Sequence, residues 1–327
     1  MRDAVIVSVA ARLHLGFLDL NGGLGRRFGS LGLAIDEPAT VLELCRGRDD
    51  SAEGPQADRV MRHIERLADH LGLPRSHQLL VRHAIPRHAG LGSGTQLAMA
   101  AAAALRRLHR LPLEPRSDAV LLDRSARSGL GTGFFHQGGL ALDGGRGTAE
   151  TPPPILARLP FPEEWRVLLI LDPARQGMHG SAELAAFGAL PQFPAGIAAH
   201  LCRLTLMQAL PAVAERDIAE FGRAVTEIQV RIGDYFAPAQ GGRYASPSVA
   251  AALDLLAGLG VAGYGQSSWG PTGFAFAASL AEARILRDRL SALAASEGLQ
   301  LMIVKGRDHG AVVSEQTRAS EKGVRHG

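Results

Sequence analysis

Lysine is almost missing from this chain: Lys305 and Lys322 are the only two among 35 basic residues, so nearly all positive charge is arginine. Cysteine is as scarce. Cys45 and Cys202 provide neither metal-ligand spacing nor a disulfide framework, which fits a reducing compartment. Aromatic residues make up only 5% of the sequence, and the arginines are interleaved with Asp and Glu instead of being concentrated. Both features argue against a nucleic-acid binder, which needs stacking platforms and a basic patch. The longest apolar run, Leu97 to Leu105, stops at Arg106 and Arg107 and falls short of the roughly 20 residues that span a bilayer. The opening run Ala4 to Ala11 has no processing site and reads as a strand. These absences lead to the expectation of a cytoplasmic protein.

What is present suits a large folded core. The chain has 327 residues, 46% hydrophobic and 20% charged, with a formal net charge of +3. That length predicts two domains. The expected boundaries are 1–150 for an N-terminal lobe and 155–314 for a C-terminal lobe, joined through the proline run Glu150 to Pro154, with 315–327 a flexible tail. Alternation at Val5, Val7, Val9 and again at Leu13, Leu15, Phe17 predicts a β-rich start that ends in the turn Asp19 to Gly23. The stripe Val60, Ile64, Leu67, Leu71 predicts a helix over 56–71, closed by Gly72 and Pro74. Further strands are expected at 78–84, 140–143, 165–171, 274–278 and 299–304. Helices are expected at 96–108, 194–214 with a kink at Pro211, 217–232 and 280–295.

The sharpest local signal is Gly90-Leu91-Gly92-Ser93-Gly94-Thr95 between a strand and an Ala-rich helix. Small residues let a backbone approach an anion while the first helical amides point outward, so a phosphate-bearing group is expected there. A tight turn that merely permits close packing explains the same residues. The loop is not followed by Gly-Lys-Ser/Thr, and it lacks the dinucleotide fingerprint.

The block Pro86 to Thr95 resembles the phosphate loop of the galactokinase, homoserine kinase, mevalonate kinase and phosphomevalonate kinase superfamily. That family's usual loop has a second serine where Gly94 stands. Its Ser-Gly-x-Asp motif is matched by Ser128 and Gly129, but the Asp position is Gly131. Kinases of the family often use that carboxylate to activate a hydroxyl, and some members dispense with a base, so its absence weakens a kinase reading without excluding it. Three further motifs, Ala11 to Asn21, Arg127 to Thr132 and Gln266 to Gly273, are similar to the β-ribofuranosylaminobenzene 5'-phosphate synthase family, built on the same scaffold.

That resemblance implies an α+β, two-lobed small-molecule-kinase-like fold, with an N-terminal lobe like ribosomal protein S5 and a C-terminal α/β sandwich lobe. It implies a C-riboside-forming phosphoribosyltransferase that condenses phosphoribosyl pyrophosphate with 4-aminobenzoate and releases CO2 and pyrophosphate, toward tetrahydromethanopterin-type cofactors. Mg2+ is the implied cofactor, and a homodimer would be unsurprising. An ATP-dependent kinase and a non-catalytic metabolite-binding protein are the competing readings. Arg12, His14, Arg127 and Ser128 are the candidate catalytic residues. Gly90, Leu91, Gly92, Ser93, Gly94 and Thr95, with Asp19 and Asn21, are candidates for binding phosphate or substrate. Gln266, Ser267, Ser268, Trp269 and Gly270 complete the set, with the Trp269 indole expected to stack on the aromatic acid or else to be core. His179 and Glu183 fit a metal or acid-base pair or simply a helix start, and His63 and His70 are expected on a solvated face.

Overall fold

The protein is described by a computed structural model over residues 2–178 and 180–318. The first lobe opens with two long strands, β1 (Arg2–Asp19) and β2 (Phe28–Arg46), which turn back on each other through the predicted Asp19 to Gly23 region. β3 (Ser51–Glu53), α1 (Ala57–Leu71), β4 (His77–His83), α2 (Ser93–Leu108), α3 (Pro115–Leu121), α4 (Leu130–His136), β5 (Leu140–Asp143) and β6 (Ile155–Leu159) follow. The second lobe begins with β7 (Arg166–Leu171), α5 (Gly180–Ala189) and α6 (Ala195–Leu204). A π-helical turn (Thr205–Ala209) leads into α7 (Leu210–Glu215), α8 (Ile218–Gln240), α9 (Pro247–Gly258), β8 (Tyr264–Gln266), β9 (Thr272–Ala277), α10 (Leu280–Glu297), β10 (Gln300–Val304) and β11 (Val312–Arg318).

Two sheets carry this order. One has the path β11-β1-β2-β4-β3, with β5 on β2 and β6 on β5, and the other runs β10-β7-β9-β8. The expected flexible tail is therefore corrected at its start: residues 315–318 belong to β11, which pairs antiparallel with β1 and returns the chain to the first sheet. β6 likewise lies beyond the proline run yet pairs with β5.

The alternation read along β1 runs in one phase, but its residues serve two cores. Val5, Val7 and Val9 pack with α1 and α2, whereas Leu13, Leu15 and Phe17 join a cluster with Phe221, Val225 and Ile228 of α8. The strand changes core at its register shifts against β2, between Ala10 and Arg12 and between His14 and Gly16. The pairing is irregular on either side of Arg12 and His14, where bulges bend a strand locally. A third cluster covers the outer face of the second sheet with α9 and α10.

The predicted helix at 56–71 and the strand at 140–143 are found within a residue of their expected bounds. α2 begins three residues earlier than expected, at Ser93, since the glycine loop itself enters the helix. α8 ends eight residues later than expected and carries Pro238 near its end. The kink expected at Pro211 takes the form of the π-helical turn before it, because proline has no N–H to continue the i to i−4 ladder. Contrary to the expectation that no apolar run reaches a bilayer span, Ala195–Glu215 forms one helix of 21 residues, long and apolar enough to cross a membrane by length and composition. One third of its most apolar 18-residue window is buried, and α6 packs on β1 and α8.

Candidate functional site

The N-cap of α2 is a glycine, Gly92, whose φ of 78° suits a left-handed residue, and no side chain caps the first turn. The unpaired amides of that turn give the helix start partial positive charge. Arginines from three segments reach the same place. A methyl group placed on Gly92 would lie 2.8 Å from Arg12 Cγ, so the β1 side chain lies directly across the loop. One placed on Gly94 would lie 3.0 Å from Arg59 Nη2 and 3.8 Å from Arg124 Nη1. Backbone bonding fixes this approach: Arg12 N donates to Leu91 O at 3.1 Å.

The second lobe holds the loop from the other side. Ser267 Oγ donates to Gly90 O at 2.9 Å and accepts from His14 N at 3.0 Å. Gly270 and Gly177 pack against Ala89 and His88 so closely that a methyl group on either would come within 3 Å of their backbone. Glycine at both positions is thus a condition of lobe contact. Gln266 binds Ala245 N, Ser268 O and Gln240 Oε1, tying β8 to the end of α8.

Charge near the loop is one-sided. His14 is 2% exposed, and burial followed by the nearby Arg12 and Arg127 guanidiniums holds its pKa well below the usual histidine range, so the ring is neutral. Its Nε2 is buried with no hydrogen-bond partner among the described residues. Arg59 is pushed below its ordinary value by burial and then by Arg124, Arg87 and Arg62. His63, one turn along α1, is held down to about 4 by burial and then by Arg124, Arg59, Arg62 and Arg66. The placement of His63 on a solvated face is therefore corrected, while His70 is exposed as expected.

Other candidates have different roles. Ser128 Oγ donates to buried Asp143 at 2.7 Å and accepts from Leu130 N, so its hydroxyl builds the entry to α4. Burial raises the Asp143 carboxyl despite its bonds to Ser30, Ser128 and backbone amides. Gly131 contacts Thr95: a methyl group there would meet Thr95 Cγ2 at 2.6 Å. Asp19 Oδ1 accepts from Asn21 N and Gly22 N, and Asn21 Nδ2 donates to Phe193 O, so both residues shape the β1–β2 turn. That turn is seven residues, roughly 24 Å of strand, from Arg12. Trp269 is 4% exposed with its ring 4.5 Å from that of Phe236, the core position and not an open stacking surface. His14, Phe17, Phe236 and Trp269 help line a cavity of ≈ 20 Å3, space for one or two water centres. His179 and the Glu183 side chain lie outside the described residues.

Around the loop the chain presents guanidiniums, and among the described residues no group of three His, Cys, Asp or Glu side chains could hold a metal. Arg59 and Arg124 were missed in the sequence because nothing local distinguishes them. Their meeting at Gly94 depends on how α1 and the segment after α3 pack on α2.

Comparison with known proteins matches residues 58–135 to the N-terminal domain of GHMP kinases and residues 209–295 to the GHMP kinase C-terminal domain. The chain is 32% identical to a beta-ribofuranosylphenol 5'-phosphate synthase of Methanothermobacter thermautotrophicus, over 82% of this chain and 87% of the relative. It is 34% identical to the Archaeoglobus fulgidus protein of the same name, over 85% and 90%. In structure it resembles a homoserine kinase from Cytophaga hutchinsonii, with TM-score 0.61, 17% identity and coverage of 96% and 98%. It also resembles the mevalonate diphosphate decarboxylase of Enterococcus faecalis, with TM-score 0.67, 16% identity and coverage of 97% and 100%. These likenesses establish the fold expected from the loop motifs, a two-lobed α+β structure of the GHMP kinase type.

Proposed function

The chain belongs to the beta-ribofuranosylphenol 5'-phosphate synthase family, and from that premise we propose that it joins phosphoribosyl pyrophosphate to a para-substituted benzoate, forming a C-riboside. The enzyme is a transferase acting on a ribosyl substrate. The observation that carries the finer reading is the pairing of an uncapped α2 start ringed by arginines with Gly131 where a kinase would hold its carboxylate. Such a site binds phosphate oxygens and stabilises a departing diphosphate, but it offers nothing to deprotonate an alcohol.

The chemistry needs no such base. Breaking the C1–O bond releases pyrophosphate and leaves an oxocarbenium-like ribosyl carbon. The ring carbon that bears the carboxylate forms the new C–C bond. Loss of CO2 returns the electron pair to the ring and restores aromaticity. An electron-donating para group is required, which 4-aminobenzoate and 4-hydroxybenzoate both possess. We propose 4-aminobenzoate, in a route to tetrahydromethanopterin-type carriers; the relatives' name, with its phenol, favours 4-hydroxybenzoate as the second reading. Binding of the ring requires Phe17, Phe236 or Trp269 to move, since the cavity they line is too small in this conformation. The magnesium expectation carries over only as an ion bound to the substrate's own phosphates.

The test incubates the protein with phosphoribosyl pyrophosphate and each carboxyl-labelled acid, beside an ATP-containing control. Release of CO2 that needs both substrates is expected. ATP-dependent phosphorylation of an alcohol without CO2 release would restore the kinase reading.

A further inference from the structure

Arg59 and Arg124 have no part in the family-like motifs, yet they converge on the loop. A methyl group on Gly94 would lie 3.0 Å from one guanidinium and 3.8 Å from the other. Neither forms an ion pair with a carboxylate among the described residues, although Asp123, the neighbour of Arg124, is bonded to Arg66 at 2.5 Å. Arg124 Nε is buried without a hydrogen-bond partner among the described residues, as is Nε2 of His63 behind it. Buried donors of this kind are rare in folded proteins, and each costs stability when left without an acceptor.

Arg59 is also held in place. Its Nη1 donates to Gln56 Oε1 at 3.3 Å, and Gln56 Nε2 donates to Ile85 O at 3.0 Å, at the base of the glycine loop. Gln56 adopts a left-handed φ of 59° at the N-cap of α1, a conformation that non-glycine residues adopt at a cost. A like-charged pair, fixed by a strained residue and facing an uncapped helix start, is unfavourable without a ligand and favourable with a polyanion.

We infer that Arg59 and Arg124, together with Arg12, form a guanidinium cradle that holds the diphosphate of the substrate over the N-terminus of α2. The inference rests on the transferase reading for the identity of that substrate. It assigns the two phosphorylated ends: the diphosphate, which carries more charge than the 5'-phosphate, occupies the three-arginine basin. The cradle faces the bond that breaks, so the same guanidiniums neutralise the pyrophosphate as it leaves. A neutral His14 beside Arg12 adds no repulsion to the cation forming on the sugar.

The experiment titrates the full chain with inorganic pyrophosphate and with orthophosphate by calorimetry, and follows thermal unfolding with and without each. The proteins compared are the wild type, Arg59→Gln, Arg124→Gln, the double variant, Arg59→Lys and the distant control Arg75→Gln. Pyrophosphate is expected to bind more tightly than orthophosphate. Each glutamine substitution should weaken it by at least about 10-fold, Arg59→Lys by less, and the control not at all. Without ligand, the glutamine variants should melt no lower than the wild type, because a like-charge contact has been relieved. A purely structural role predicts a lower melting temperature with ligand affinity retained.

Unchanged pyrophosphate affinity in the double variant overturns the cradle, as do equal affinities for the two anions. Synthase activity of the wild type separates the claims. Riboside formation with unchanged affinity in the variants leaves the transferase without this cradle. Affinity lost in the variants with no riboside formed leaves the cradle and overturns the transferase reading.

Discussion

The hydroxyl of Ser267 donates to the carbonyl of Gly90 across 177 residues of sequence, at 2.9 Å. The same oxygen accepts the His14 amide, so one buried side chain ties β1, the glycine loop and the β8–β9 turn together. Ser267→Ala leaves the buried His14 N–H and Gly90 C=O without that partner. A loss of about 1–3 kcal/mol in unfolding free energy is expected by urea denaturation, with a raised KM for the sugar diphosphate. Unchanged stability would mean that water or backbone replaces the bond.

Gly92 adopts φ 78°, and any Cβ there would press on Arg12. Gly92→Val should therefore both strain the backbone and displace the guanidinium. The expected result is loss of measurable phosphoribosyl pyrophosphate binding by calorimetry, alongside a destabilisation on the order of 1–3 kcal/mol. Wild-type affinity in a folded Gly92→Val protein would remove the loop from the binding site.

Trp269 packs on Phe236 with its indole 4% exposed, so Trp269→Ala should cost roughly 3–5 kcal/mol in a denaturant titration. KM values for the sugar diphosphate and the aromatic acid should then rise together. A selective rise for the acid, with stability intact, would instead show the indole stacking on it.

His77 Nε2 lies 2.9 Å from His109 Nε2, and burial lowers both pKa values. The contact requires one ring to accept, so it is lost once both rings are protonated. Because the folded pKa values lie below the unfolded value of about 6.5, the unfolded chain binds more protons as pH falls. Stability is thus full above about pH 6.5 and declines as pH drops toward the folded values, with His14 and His63 adding in the same direction. Melting temperatures measured from neutral pH downward should show this slope, reduced in His109→Gln. Identical slopes in the two proteins would assign the acid sensitivity to other groups.

Much of the scaffold was legible because local rules decide it. The stripe Val60 to Leu71 with Gly72 beyond it fixes α1, and Gly72 does close the helix in a left-handed conformation. The run Gly90 to Thr95 before small, helix-favouring residues fixes the loop and the presence of α2, though not the exact residue where the helix starts. β2 went unread, though at 19 residues it is among the longest strands, because its bend, its bulged pairing with β1 and its polar stretch near Thr40 disguise the period. Only the end of β11, residues 315–318, falls in the expected tail, since a short polar edge segment gains order only from the partner it pairs with.

The amino-acid order by itself determined the secondary elements with strong periods, the place of the glycine loop and the missing carboxylate at Gly131. Tertiary structure alone decided what surrounds that loop. Arg12 is brought across the loop by β1, Arg59 arrives on α1 and Arg124 on the segment after α3, while Ser267 reaches in from the other lobe. Helices and turns follow from interactions within a few residues. A cluster of arginines drawn from positions more than a hundred residues apart follows from packing, which no local pattern records.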